Sequence, residues 1–244
     1  DALIDGNRKP YRGTIGTSIA KVFDLTVAST GLAEKTLIAL KLPHKSAVTH
    51  TSSHADYYPG SLSLSLKILF HPTTGKIWGA QAIGYEGVDK RIDVISSFIG
   101  MDGTVYDLAE FEHAYAPPFS SAKDPINMVG FIGMNALEGI SNPISWREVD
   151  NLIKQGAVIL DTRSEMETMT GGMLPGSINI PHTALRKRIA EVPKDKPIIT
   201  TCVMGVRGYL AERILRGNGF TKVYNLTGGL HSYTTAMSER ARLN

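Results

Sequence analysis

The chain has 244 residues, 42% hydrophobic and 20% charged, with a formal net charge of +3. This composition suits one or two globular domains with buried cores. The mild charge and the lack of a Lys/Arg run argue against nucleic acid as a partner, and no apolar stretch is long enough to span a membrane. Its single cysteine, Cys202, rules out an internal disulfide and points to a reducing, cytoplasmic setting. The opening DALIDGNRKPYRG is polar, has no signal-peptide core and no initiator Met, so the chain is expected to be a fragment or a cut product.

The first half reads as strand-rich. TSIAKVFDLTVAST (Thr17 to Thr30) predicts a strand ended by Gly31, and GLAEKTLIAL has helical spacing. SAVTHTSS predicts a strand and YYPG a turn at Tyr57 to Gly60. SLSLSLKILF alternates from Ser61 to Phe70, the period of a half-buried strand. HPTTGK then turns the chain into IWGAQAIGY, which predicts an antiparallel hairpin. GVDKRIDVISSFIGM places Val88, Ile92, Val94, Ile95 and Ile99 roughly on one helical face. Pro117, Pro118 and Pro125 interrupt YAPPFSSAKDP, INMVGFIGMNALEG resumes as a helix, and SNPISW reads as a linker near residue 142.

The second half alternates. SWREVDNLIKQ is a helix with Ser145 and Glu148 spaced as a capping box. AVILDTR follows as a strand, then a polar helix, then PGSINIP as a short extended piece. ALRKRIAEV predicts a helix, KPIITTC a strand and VRGYLAERILRGNGF a helix ended by Gly217 or Gly219. KVYNL is a strand and GGLHSYTTAMSERA a last helix. Such alternation predicts a parallel α/β sheet.

Cys202 falls where an apolar strand gives way to a helix, the end of a parallel sheet at which ligands bind. Inward backbone N–H groups and the helix N-terminus favour a thiolate there, the form that attacks sulfur. Gly205 permits a tight turn, and Arg207 supplies a fixed charge. The Cys202-x4-Arg207 count is one short of a phosphatase loop of the Cys-x5-Arg type, and the smaller ring suits a single sulfur atom. The competing reading is a buried core cysteine. Asp161 and Arg163 read either as a turn cap with a surface ion pair or as lateral support for the loop. His50 and His54 have a helical metal spacing, but they lie in strand and loop sequence with no acidic base between them, so no metal is expected. Tyrosines beside Pro-Gly are usually packing or turn residues, though a rigid loop can also present a phenol to a neighbour.

VILDTR (Val158 to Arg163), GMLPGSINIP (Gly172 to Pro181), CVMGVR and VYNLTGGLHSY resemble, in order, the four motifs of rhodanese sulfurtransferases, with Met173 replacing the usual His and Tyr233 the usual Trp. The resemblance implies a persulfide on Cys202 cradled by the backbone of Val203, Met204, Gly205, Val206 and Arg207. The apolar loop residues favour a bulky or weakly charged persulfide over thiosulfate. GTSIAKVFDLTVASTGL, YYPG, GKIWGAQAIG and YAPPFSSAKDPINM resemble the dimerisation domain of FAD-dependent pyridine nucleotide-disulfide oxidoreductases, in the CoA-disulfide and CoA-persulfide reductase branch. That implies a homodimer in which Tyr57 and Tyr115 reach the partner's active site and donate hydrogen bonds to a sulfur intermediate.

The fold expected is therefore an α+β dimerisation domain with an antiparallel sheet at 1–125, a helix and linker at 126–142, and an α/β rhodanese-like domain with a parallel sheet at 143–244. FAD, NAD(P)H and CoA belong to the complete family enzyme. No G-x-G-x-x-G is present and the reductive cysteine is missing, so none of these is expected on this polypeptide alone, nor is reductase activity. The favoured function is sulfur transfer through Cys202, with a small-molecule persulfide or CoA thiol as partner. The alternatives are a non-catalytic dimerisation and sulfur-binding module, and a small phosphatase, which the short loop disfavours.

Overall fold

The structure, a computed structural model, describes residues 13–243, so the polar opening segment lies outside it up to Arg12. The first unit is a five-stranded antiparallel sheet in the order β1-β2-β5-β4-β3. Its strands are β1 (Ser18–Val22), β2 (Leu25–Gly31), β3 (Lys45–Ser52), β4 (Ser63–Phe70) and β5 (Ile77–Gly84). A short helix α1 (Glu34–Ala39) links β2 to β3. The alternation in β4 buries Leu64, Leu66 and Ile68 on one face, as period 2 requires. β4 and β5 pair as the expected hairpin.

One expected strand is in fact two. The chain reverses at Phe23, whose φ of 54° is left-handed, so β1 and β2 form a hairpin rather than a single strand over 17–30. A bulky residue seldom takes that conformation, and neither glycine nor proline marked the turn.

Helix α2 (Val88–Gly100) lays Val88, Ile92 and Ile95 on the sheet, with Val94 and Ile99 partly buried beside them. Helix α3 (Val105–Glu110) was not expected. It is six residues long and starts at a Thr104/Asp107 capping box, too short to show periodicity. Helix α4 (Pro125–Leu137) is capped by Asp124 and sinks Ile126, Val129 and Ala136 into this first core.

The second unit is a five-stranded parallel sheet, β6-β10-β9-β7-β8. Its strands are β6 (Pro143–Ile144), β7 (Val158–Asp161), β8 (Ile178–Asn179), β9 (Ile198–Thr201) and β10 (Val223–Leu226). Helices α5 (Trp146–Lys154), α6 (Glu165–Gly171), α7 (Val206–Gly217) and α8 (Gly229–Leu243) alternate with them. Ile198 and Leu160 join one core cluster while their neighbours Ile199 and Ile159 join another, so both faces of the sheet are covered.

Two further expectations fail here. SNPISW is not merely a linker: Pro143–Ile144 is the edge strand beside β10, too short for any pattern to reveal. ALRKRIAEV is not an α-helix. It runs as consecutive turns (Lys187 N–H to Ala184 O, 3.0 Å) into a 3-10 turn at Ile189–Glu191. Leu185 is buried and Ile189 and Val192 pack on the same core, so helix-like spacing is met by turns that dip into it.

Several contacts bind the units together. Ser141 and Asn142 donate to the buried Glu212 carboxylate, and burial raises that acid's pKa. The Val48 N–H donates to Thr227 Oγ1 (2.9 Å). His50 lies within hydrogen-bond distance of Ser65 (2.7 Å) on β4 and Ser232 (2.8 Å) on α8, and its ring stands edge-on to His231. Burial, then the neighbouring His231, pushes its pKa down to about 4.

Candidate functional site

Strand β9 is buried along its whole length and ends at Thr201. The next four residues turn the chain into α7. Gly205 takes φ +108°, a conformation an L side chain would strain, and its N–H donates to Cys202 Sγ at 3.1 Å. Cys202 is only 2% exposed. The sulfur therefore lies below the surface beside the N-terminus of a twelve-residue helix, where an anion is favoured.

The start of α8 fixes the loop from the other side. Leu230 N–H donates to Cys202 O (2.8 Å), and His231 N–H to Val203 O (2.9 Å). Because the peptides are trans, the N–H groups of Val203 and Met204 are turned away from α8. This approach needs Gly229, at which a Cβ would stand 2.5 Å from Cys202 O. Of the five residues expected to cradle the sulfur, Gly205 is the one whose amide reaches it among the described hydrogen bonds. The side chains of Met204 and Val206 point outward and are exposed.

Arg207, in the first turn of α7, makes a bidentate pair with Glu167 of α6, both bonds 2.7 Å. The hydrogen bond from Arg207, then that from the Ser164 backbone, holds the Glu167 carboxyl far below the usual carboxylate range. The Glu167 bond raises the Arg207 pKa in turn, with a smaller contribution from Cys202. Glu167 was not among the expected site residues. Its one sequence signal was the Ser164-x-x-Glu167 capping box, which reads as a helix start and says nothing of Arg207 forty positions away.

Asp161 and Arg163 form a buried pair, not a surface one. Arg163 Nη2 donates to Asp161 Oδ2 at 2.6 Å and to Gly172 O at 2.6 Å. Arg163 and Val203 share the wall of a cavity of about 340 Å3, which places the pair beside the Cys202 loop.

Tyr57 and Tyr115 come together on the first unit, hydroxyl to hydroxyl at 3.1 Å, 73% and 47% exposed. The hydrogen bond from Tyr115 raises the Tyr57 pKa. No described contact joins them to the Cys202 loop. Their two loops are tied at the root: Ala55 N–H donates to Ser120 O (3.1 Å). Beneath lies a second group absent from the sequence reading, Arg91 with Asp124, each 1% exposed. Arg91 donates to Asp124 Oδ2 (2.8 Å) and to Ser53 O (2.9 Å), while Ser120 Oγ donates to Asp124 Oδ2 (2.7 Å). His54 packs under the same loop against Tyr58, apart from His50 at the unit interface.

The glycine turns after β9 and β10 pack against each other, Gly205 against Gly228. They leave no open cradle for a dinucleotide, so no step through a flavin or nicotinamide is derived for this chain. Among the described residues no helix is long and apolar enough to cross a membrane.

Residues 17–125 match the family "Pyridine nucleotide-disulphide oxidoreductase, dimerisation domain", and residues 145–236 match "Rhodanese-like domain". A coenzyme A disulfide reductase of Staphylococcus aureus (strain bovine RF122 / ET3-1) is 43% identical over 121 residues, 50% of this chain and 27% of its own length. The reduced CoADR-RHD of Bacillus anthracis is 47% identical with a TM-score of 0.93, covering 98% of this chain and 42% of that one. A NAD-dependent persulfide reductase from A. fulgidus is 37% identical with a TM-score of 0.82, covering 95% of this chain and 41% of that one. The chain thus spans about two fifths of the two solved structures and about a quarter of the curated relative.

Proposed function

We propose, for a chain that joins a pyridine nucleotide-disulphide oxidoreductase dimerisation domain to a rhodanese-like domain, that Cys202 accepts a sulfane sulfur, holds it as a persulfide and passes it on. The observation that carries this reading is the Gly205 amide aimed at Cys202 Sγ at 3.1 Å in a loop closed by Arg207. A thiolate there attacks the outer sulfur of R–S–SH, the S–S bond breaks, and R–S⁻ leaves as a thiolate. The anionic persulfide then occupies the place the thiolate held.

In the complete protein this transfer serves an FAD- and NAD(P)H-dependent CoA-disulfide or persulfide reductase. The reducing equivalents come from a flavin-bearing half outside this chain. The first domain forms the homodimer, and the exposed Tyr57/Tyr115 pair faces the partner's sulfur chemistry as a hydroxyl donor.

The test is intact mass after exposure to an organic persulfide. A gain of one sulfur atom, absent in Cys202→Ser, together with rapid alkylation of the thiol at neutral pH, is the expected result. An unreactive thiol and an unchanged mass overturn it. The deep burial of Cys202 favours one alternative, a sulfur-binding module without turnover. A persulfide that forms but releases no sulfide to added thiols would decide for that alternative.

A further inference from the structure

Between the two units lies a cleft of about 210 Å3 with walls from both. Helix α4 contributes Phe131 and Ile132, and the Cys202 loop with α7 contributes Met204, Gly205, Val206 and Leu210. The wall is largely apolar, and it includes the residue whose amide holds the sulfur. Leu210 is also a wall of a second cavity, about 440 Å3, whose other sides include His182, Arg186 and Arg213. Val206, Leu210 and Arg213 are spaced i, i+4, i+7 and share one face of α7. At 1.5 Å per residue, Arg213 stands about 10 Å along the helix from the loop.

The two arginines of the second cavity lack carboxylate partners. Arg186 makes no ion pair or side-chain hydrogen bond among the described residues. Arg213 donates to the Ile140 carbonyl. The nearby Glu212 is held by Ser141, Asn142 and Arg216. An apolar slot that begins at the sulfur loop thus leads to a cavity flanked by two guanidinium groups not matched by carboxylates. Guanidinium is the group best shaped for phosphate.

We propose that this groove seats the sulfur carrier: a persulfide on a slender, mostly apolar chain that ends in a phosphate group. The chain lies in the cleft and the phosphate sits between Arg186 and Arg213. This rests on the sulfur-transfer reading of Cys202 and adds the class of carrier and the residues that anchor it. The exchange is RS–SH + Cys202–SH → RSH + Cys202–S–SH. The bond between the two carrier sulfurs breaks, a new S–S bond forms at Sγ, the leaving thiolate takes up the proton, and no external oxidant or reductant is needed.

The test compares coenzyme A persulfide with pantetheine persulfide, which has the same arm without the phosphates of the coenzyme, by following sulfur arrival at Cys202 by mass. The coenzyme A form is expected to react at least about tenfold faster, since charge-assisted phosphate contacts are worth that much. Arg186→Gln, which breaks no contact seen in the structure, should erase most of the preference, and Arg186→Gln/Arg213→Gln the rest. The pantetheine rate should stay unchanged in both variants. Equal rates for the two carriers, or a preference that survives the double variant, overturn the groove. Failure of both carriers to load Cys202 would overturn the underlying reading instead. Calorimetry of coenzyme A on the Cys202→Ser chain then judges the groove alone: binding lost in the double variant supports it, and no binding, or binding the arginines do not affect, sinks it.

Discussion

Tyr57 and Tyr115 stand at the surface of one unit, while Cys202 is sealed beneath the surface of the other. Each is positioned by an arginine–carboxylate pair, yet the pairs sit at opposite depths. Arg91–Asp124 is wholly buried under the exposed tyrosines, and Arg207–Glu167 is part-exposed above the buried sulfur. A loop that stands in water has no packing of its own, so its geometry must come from below, where ionic hydrogen bonds are strong and costly to break. A loop wrapped around a buried atom is already held by backbone bonds to α8. The arginine there is left to set the charge.

Arg91→Met puts the most strain on this contrast. It leaves Asp124 buried without its counter-charge, and we expect a loss of about 3–5 kcal/mol in urea unfolding. The tyrosine loops should separate, so the Tyr57 phenol should titrate closer to its ordinary value of 10.0 in an absorbance titration. A cost below about 1 kcal/mol would make the pair no deeper in effect than a surface bridge.

His50 offers the next largest effect, at the seam between the units. Its folded pKa, about 4, lies below the unfolded value of 6.5. Between those values the unfolded chain binds the proton and the folded chain does not, so stability rises with pH. The contribution is fully present above pH 6.5 and is lost as the pH falls toward 4, up to about 3 kcal/mol. Thermal melting at pH 7.5 and pH 5 should show this loss, and His50→Gln should flatten it.

Glu167→Gln should act least on stability, within about 1 kcal/mol, because the bridge is open to solvent. It frees the Arg207 charge beside the sulfur. Alkylation of Cys202 by anionic iodoacetate should then quicken more than alkylation by neutral iodoacetamide. An equal change with both reagents would remove Arg207 from the electrostatics of the site.

Periodicity and local chemistry made much of this legible. The alternation of Leu64, Leu66 and Ile68, the capping box at Ser145, and the strand–cysteine–glycine–helix order around Cys202 each depend on neighbours in sequence, and each appears in the fold. The glycine of that loop announced its own turn, while the Phe23 turn and the six-residue α3 carried no such mark.

The sequence by itself determined the order of elements, the two kinds of sheet and the position of the one cysteine, because hydrophobic period and turn chemistry act over a few residues. Tertiary structure alone decided which carboxylate meets which arginine: Glu167 with Arg207, forty positions apart, and Asp124 with Arg91, thirty-three apart. It also decided that the cleft beside Cys202 has a wall from each unit. Such pairings come from packing two covered sheets against one another, and a contact made that way leaves no period in the chain to read.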